Sequence, residues 1–257
     1  MSLAPLKTAT QPPRPVRYDA GRHPRAKLGF VLLATEQTIE DDLRRLAPPD
    51  VGVHFTRAPI PDSITCDSLG AMAQDLAEAA ALILPDGSLD VVCYACTSGS
   101  IVITEQVVLK ELARGQPKAQ ATSLITGVIR ALKALQARRI VVATPYLEEI
   151  NRLEARYLAD AGFEVLAIEG LQIEQDSDMV RVAPDFIAEF AASLDRPDAE
   201  AIFISCGALR SIDILAPLEQ RLGKPVVASN QAMAWDCLRL AGVTDVISGA
   251  GRLLSDH

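Results

Sequence analysis

Two cysteines each close an apolar, strand-like run and open a turn of small residues. Cys96 ends Val91-Val92-Cys93-Tyr94-Ala95-Cys96 and precedes Thr97-Ser98-Gly99; Cys206 ends Ile202-Phe203-Ile204-Ser205-Cys206 and precedes Gly207-Ala208. A thiol beside a helix N-terminus feels the positive end of aligned peptide dipoles, which favours the thiolate. The expectation is a thiol pKa lowered from about 8.5 toward neutrality. One thiolate would then act as base and the opposite thiol as acid on a substrate between them. The backbone N–H groups of Thr97, Ser98, Gly99, Gly207 and Ala208 would hold a carboxylate or a developing enolate. A pair of buried structural thiols is the alternative reading of the same residues.

Other chemistry is scarce. The histidines are His23 near the N-terminus, His54 inside a strand-like run and His257 at the end, which argues against His-dependent triads and His-rich metal sites. There is no Walker A loop and no H-E-x-x-H. Cys93-x-x-Cys96 lacks the second pair a zinc site needs, and Cys93 sits within the strand rather than at a helix start, as a redox dithiol would. Cys66, Cys93 and Cys237 read as small apolar fillers. No metal and no organic cofactor is expected. Tyr146 follows Thr144-Pro145, where its hydroxyl could donate to a substrate carboxylate or simply pack.

The elements that must position these residues alternate. Strands are expected at 28–34, 51–57, 89–95, 140–144, 164–168, 201–205, 226–228 and 243–247. Helical periodicity covers 38–46, 68–82 behind Asp67, 98–114, 123–136, 147–161, 185–193, 212–222 and 231–241. Short apolar strands separated by helices imply parallel sheets covered on both faces. Ligands of such sheets bind at the carboxyl ends of strands, which is where Thr35, Cys96, Tyr146 and Cys206 fall. The two cysteines lie 110 residues apart, and Ala34-Thr35 recurs as Ala143-Thr144 at nearly the same offset. Gly115-Gln116-Pro117 likewise recurs as Gly223-Lys224-Pro225, so the chain reads as an internal duplication.

Composition bounds the rest. The 257 residues are 49% apolar and 23% charged with a net charge of −8, as in an ordinary globular protein without a nucleic-acid footprint. No apolar run reaches membrane-spanning length. Five scattered cysteines read as the reduced thiols of a cytoplasmic protein. Residues 1–26 hold five prolines and five Lys/Arg against one acidic residue, and read as a flexible arm, with packing on a neighbouring subunit one use for it.

Four segments carry a family resemblance: Ala95-Cys96-Thr97-Ser98-Gly99-Ser100, Ala143-Thr144-Pro145-Tyr146, Ser205-Cys206-Gly207-Ala208-Leu209 and Ser229-Asn230-Gln231-Ala232-Met233-Ala234-Trp235. Together they resemble the Asp/Glu racemase superfamily, in the branch of maleate cis-trans isomerase, arylmalonate decarboxylase and ectoine-utilisation protein A. Leu32-Leu33-Ala34-Thr35-Glu36-Gln37-Thr38 and the Arg14–Asp19 segment are most similar to the last subgroup. The resemblance implies an α/β chain of two Rossmann-like parallel-sheet domains related by a pseudo-twofold, with the site in the cleft between them and no cofactor. The C-terminal helix of the family crosses back, which places one domain at 27–117 plus 229–257 and the other at 118–228. Cys96 and Cys206 would be the catalytic pair and Tyr146 a carboxylate ligand.

By the same resemblance, Thr35, Glu36 and Gln37 occupy a substrate loop where maleate isomerases carry Asn, and Asp176 falls near a second such Asn. Two carboxylates would repel a dianion and suit a substrate with a cationic group. Helix capping by Glu36 and a solvated Asp176 form the plainer alternative. Arylmalonate decarboxylases carry only the second cysteine, so Cys96 argues against simple decarboxylation. The expected function is a two-thiol racemase or isomerase of a small carboxylate, by proton transfer at the α-carbon, in a homo-oligomer without nucleic-acid or membrane partners. Maleate isomerisation by Cys96 thiolate addition is one alternative, and a non-catalytic small-molecule binder is another.

Overall fold

The computed structural model describes residues 14–257, so the first thirteen residues of the expected arm lie outside the described residues. The first half runs β1 (Ala26–Leu33), α1 (Ile39–Leu46), β2 (Val51–Ala58), α2 (Cys66–Ala71), a single 3-10 turn, α3 (Leu76–Ala81), β3 (Val91–Tyr94), α4 (Thr97–Ile103), α5 (Glu105–Gly115) and β4 (Gln120–Ser123). The second half runs α6 (Leu124–Ala134), β5 (Arg139–Thr144), α7 (Glu148–Asp160), β6 (Glu164–Gly170), α8 (Asp176–Met179), α9 (Pro184–Ser193), β7 (Ala201–Ile204), α10 (Ile212–Leu222), β8 (Val226–Ala228), α11 (Ser229–Leu240) and α12 (Arg252–Asp256).

The strands form two four-stranded sheets, ordered β2-β1-β3-β4 and β6-β5-β7-β8, and every pairing is parallel. The identical order bears out the duplication inferred from the sequence. β3 (Val91-Val92-Cys93-Tyr94) and β7 (Ala201-Ile202-Phe203-Ile204) are completely buried in the middle of each sheet. That is why both read as unbroken apolar runs rather than alternating ones. Each ends on one of the two cysteines, so burial of the strand fixes where the thiol emerges. α11 follows β8, packs against α6 and α1 and touches β3.

Several expectations need correction. β4 was not expected: four residues, Gln-Ala-Thr-Ser, carry too little apolar signal, yet they pair with β3. Residues 120–123, assigned from the sequence to the second domain, therefore belong to the first sheet. The 243–247 run forms no strand; flanked by Gly242 and Gly249 at positive φ, it is a loop in which Arg239 donates to the carbonyls of Val243 and Asp245. The 68–82 helix is broken into α2, the 3-10 turn and α3, and Thr65 rather than Asp67 caps it, its Oγ1 accepting from Ser68 N–H at 3.2 Å. The 98–114 helix divides at Thr104, whose φ is 80°. The end of the expected arm is docked on its own chain: Arg25 pairs with Asp245 and the His23 ring lies over Gly52.

Close helix packing gives a test of the fold. A Cβ on Gly115, the last residue of α5, would stand 2.3 Å from the Ala77 carbonyl oxygen of α3. Gly70, exposed in α2, has only Val102 Cγ1 near, at 3.9 Å. Gly115→Ala is expected to lose about 2 kcal/mol by overpacking. Gly70→Ala is expected to gain roughly 0.5 kcal/mol by restricting the unfolded chain. Urea unfolding midpoints check both; equal shifts of the two variants would contradict this packing.

Candidate active site

Both cysteines line one cavity of about 300 Å³ counted to its mouth. Its other walls are Leu33, Glu36, Ile64, Ala95, Thr97, Ser98, Tyr146, Asp176, Met179, Gly207 and Ala208. Nine of the residues singled out from the sequence thus meet in one place, drawn from the carboxyl ends of strands in both sheets. Thr35 stands just behind, its Oγ1 donating to Asp176 Oδ2 at 2.6 Å. Gln37 is a correction: it is exposed and lines a separate outer cleft with Asp41, Arg45 and Arg210. One step along the chain, the backbone has already turned away to start α1.

Cys96 is the N-cap of α4, and its Sγ accepts from Gly99 N–H at 3.2 Å. Gly99 is required there, because a Cβ would stand 2.3 Å from the Tyr94 hydroxyl and 3.0 Å from the Cys96 sulfur. Cys206 adopts φ 100°, a region costly for a non-glycine residue, as happens where function overrides local preference. Ser229 joins the two turns. Its Oγ accepts from Cys206 N–H at 3.0 Å and lies 3.0 Å from Thr97 Oγ1. The Cys206 turn is further held by Asn230, whose Nδ2 donates to Gly207 O at 2.8 Å, and by Thr38, whose hydroxyl donates to Ala208 O at 3.0 Å.

The thiols do not carry the lowered pKa expected from the sequence. Burial pushes Cys96 up to about 11, against the opposing Gly99 and Ser98 contacts, with Asp176 adding to the rise. Burial pushes Cys206 well above the ordinary thiol range as well, reinforced by Asp176 and Glu36 and opposed by Tyr146 and Ala208. At Cys96 the dipole of α4, worth up to about 2 kcal/mol, loses to desolvation next to two acids; at Cys206 the expected helix N-terminus is missing, since the next helix, α10, starts only at Ile212. The N–H groups of Gly99 and Ala208 serve the sulfurs themselves. Those of Thr97, Ser98 and Gly207 have no protein acceptor among the described residues and remain for a ligand.

Glu36 and Asp176 fit neither simple expectation. Glu36 does cap α1, accepting from Thr38 N–H and from Ile39 N–H at 2.9 Å, yet it also lines the cavity and is only 6% exposed. Burial raises it to about 7. Asp176 is 4% exposed rather than solvated, and burial raises it too. A strap holds it there: Asp62 O accepts from Asp176 N–H at 2.9 Å and its carboxylate from Ser177, while Ile64 N–H donates to Glu174 O at 2.9 Å. No Lys, Arg or His among the described residues lines the cavity. Among the described residues, no cluster of three or more His, Cys, Asp or Glu could hold a metal ion.

Tyr146 is 1% exposed, and its hydroxyl, near both thiols, is pushed well above its ordinary range by burial. Thr144, Asn151 and the Tyr146 carbonyl knit this turn: Thr144 Oγ1 donates to Asn151 Oδ1 at 2.6 Å and accepts from Tyr146 N–H at 3.2 Å. Sequence reasoning missed Tyr94, Ile64, Met179, Ser229 and Asn230 as parts of the site. Ser229-Asn230 lay in a segment noticed for its resemblance, so that signal was available; Tyr94 and Met179 offered only an apolar pattern.

Residues 65–254 match the arylmalonate decarboxylase family. A maleate isomerase of Nocardia farcinica is 26% identical over 240 residues, covering 89% of this chain and 95% of its own. An arylmalonate decarboxylase of Bordetella bronchiseptica is 35% identical over 141 residues, 52% of this chain and 58% of its own. A solved Nocardia farcinica maleate cis-trans isomerase, a cysteine-to-serine mutant with a covalently bound succinylcysteine intermediate, superposes with a TM-score of 0.83. It is 24% identical, covers 90% of this chain and 99% of its own, and supports the fold. With the family match spanning most of the chain and two sheets ending on one shared cavity, this protein belongs to the arylmalonate decarboxylase family.

Proposed function

We propose that this chain is a cofactor-independent isomerase or racemase of a small carboxylate that also bears a cationic group. The observation that carries the reading is the single cavity lined by Cys96 from one sheet and Cys206 from the other. A substrate carboxylate would sit on the free N–H groups of Thr97, Ser98 and Gly207, with the Tyr146 hydroxyl as a further donor. One cysteine, as thiolate, removes the α-proton; the opposite thiol returns a proton from the other face, leaving the first cysteine protonated and the second as thiolate. The N–H groups that bind the carboxylate also stabilise the intermediate enolate.

The substrate class follows from the other walls. Glu36 and Asp176 line the cavity and no basic side chain among the described residues answers them, so a dianion would meet two acids and a zwitterion would meet its complement. Zwitterionic compounds of the ectoine type have this charge pattern, in keeping with the sequence likeness to ectoine-utilisation protein A. The Nocardia relative favours a second reading, cis-trans isomerisation of a double bond. That enzyme has been captured with a succinylcysteine, and here Cys96 would add to the double bond before rotation and elimination.

Proton NMR in D₂O with ectoine-derived amino acids, aspartate and maleate separates these readings. Enzyme-dependent deuterium entry at a stereocentre is expected, and it should fall at least 1,000-fold in either Cys96→Ser or Cys206→Ser, by analogy with loss of an acid–base group. Exchange that survives both changes would rule out the two-thiol mechanism; a stable mass increase on Cys96 with maleate would favour addition instead. Glu36→Gln and Asp176→Asn are expected to raise KM for a zwitterionic substrate by about tenfold, one neutralised contact in a water-poor site. The same changes should improve any turnover of maleate, and the reverse ranking would refute the charge assignment.

A further inference from the structure

The turn that carries Cys206 is held from outside. Cys96 is fixed by the helix it caps, but no helix follows Cys206 until α10 at Ile212, and its φ of 100° needs support. Three side chains grip successive peptides of the turn instead. Ser229 accepts from Cys206 N–H at 3.0 Å, Asn230 donates to Gly207 O at 2.8 Å and Thr38 donates to Ala208 O at 3.0 Å. The middle contact bears most directly on the thiol. The peptide whose carbonyl Asn230 grips is the one whose N–H, that of Ala208, serves the sulfur.

The Asn230 amide has one workable orientation. Its Nδ2 also donates to Oδ2 of Asp42, 2.8 Å away on α1. Asp42 is only 6% exposed, and among the described residues no other group donates to its carboxylate. A carboxylate and a carbonyl both accept, so the two amide protons are committed and Oδ1 is left buried without a partner. That oxygen abuts Gly207, where a Cβ would stand 3.2 Å from it. Turning the amide over would set its oxygen against two others. A buried oxygen without a donor destabilises the fold, which is tolerable where both donors are needed.

We propose that Asp42 and Asn230 are positioning residues for Cys206. Asp42 orients the Asn230 amide, and the amide holds the Gly207 peptide so that Ala208 N–H points at the sulfur. The half of the chain that carries Cys96 thereby aims the opposite thiol. The role in catalysis rests on the two-thiol reading above, but the test reads thiol chemistry and needs no turnover.

Iodoacetamide labelling at pH 9, with the Cys206 and Cys96 peptides quantified from one digest by mass spectrometry, tests it. Glu36, at about 7, is ionised there in every variant that keeps it, and Cys96 is the internal reference for general loosening. Asn230→Ala and Asp42→Ala are each expected to lower the Cys206-to-Cys96 labelling ratio about tenfold, the loss of one charge-assisted N–H from the thiolate. Asp42→Ala supplies the test if Asn230→Ala does not fold. Asp42→Asn, whose Oδ1 still accepts from Asn230, should stay within about twofold of wild type. The drop should persist in a Glu36→Gln background; its disappearance there would assign the effect to Glu36 and overturn the proposal. A ratio unchanged or raised in the alanine variants, or a drop as large in Asp42→Asn, would overturn it too. The expected ratios in a protein that exchanges no substrate deuterium would uphold the positioning and refute the two-thiol function alone.

Discussion

Two thiols and two carboxyls share one small cavity, with no base among the described residues to balance them. Most of what is particular about this site follows from that constraint. Each group is withheld from water, and each loses the solvation that would stabilise its charged form. Cys96 rises from an ordinary 9 to about 11, roughly 3 kcal/mol against the thiolate. Glu36 reaches about 7 although two N–H groups donate to it. The surrounding scaffold therefore has to hold the groups in place without help from ion pairing.

It does so with backbone and hydroxyls. Central strands β3 and β7, buried on both faces, deliver the cysteines to fixed points, and each following turn gives one N–H, of Gly99 or Ala208, to the sulfur. Ser229 ties one turn to the other, and α11, which carries it, belongs in sequence to the second half and in space to both. Gly207 matters for the same reason: a Cβ there would stand 2.8 Å from Ile39 Cδ1 of α1. The duplication thus does more than repeat a fold. It brings two equivalent strand ends to one cavity, giving a substrate two chemically similar faces.

Much of this was legible in the residues, because the signals were local and strong. Unbroken apolar runs ending in Cys-Thr-Ser-Gly and Cys-Gly-Ala announced the parallel strands, the turns and the thiols together. What escaped was set by tertiary context. β4 has four residues and a polar composition, and only its pairing with β3 makes it a strand. The 243–247 run has strand composition but pairs with neither sheet. The thiol pKa was misread since a sequence shows the helix that follows a cysteine but not the carboxylates that fold opposite it. Asp42 escaped because nothing in Asp41-Asp42 tells the buried acid from its exposed neighbour until Asn230, 188 residues away, folds against it.

If the substrate carries a cation, the same constraint becomes an advantage. A positive charge about 5 Å from Cys96, at an effective dielectric near 20, is worth about 3 kcal/mol. That is comparable to the extra cost that burial adds to forming the Cys96 thiolate. The free enzyme would keep both cysteines protonated and unreactive, and the ligand would supply the charge that returns one of them to the ordinary thiol range. Neutral analogues of the same shape would bind without activating either thiol. Selectivity and activation would then be a single electrostatic event, which the dipole of α4 at Cys96 alone could not provide.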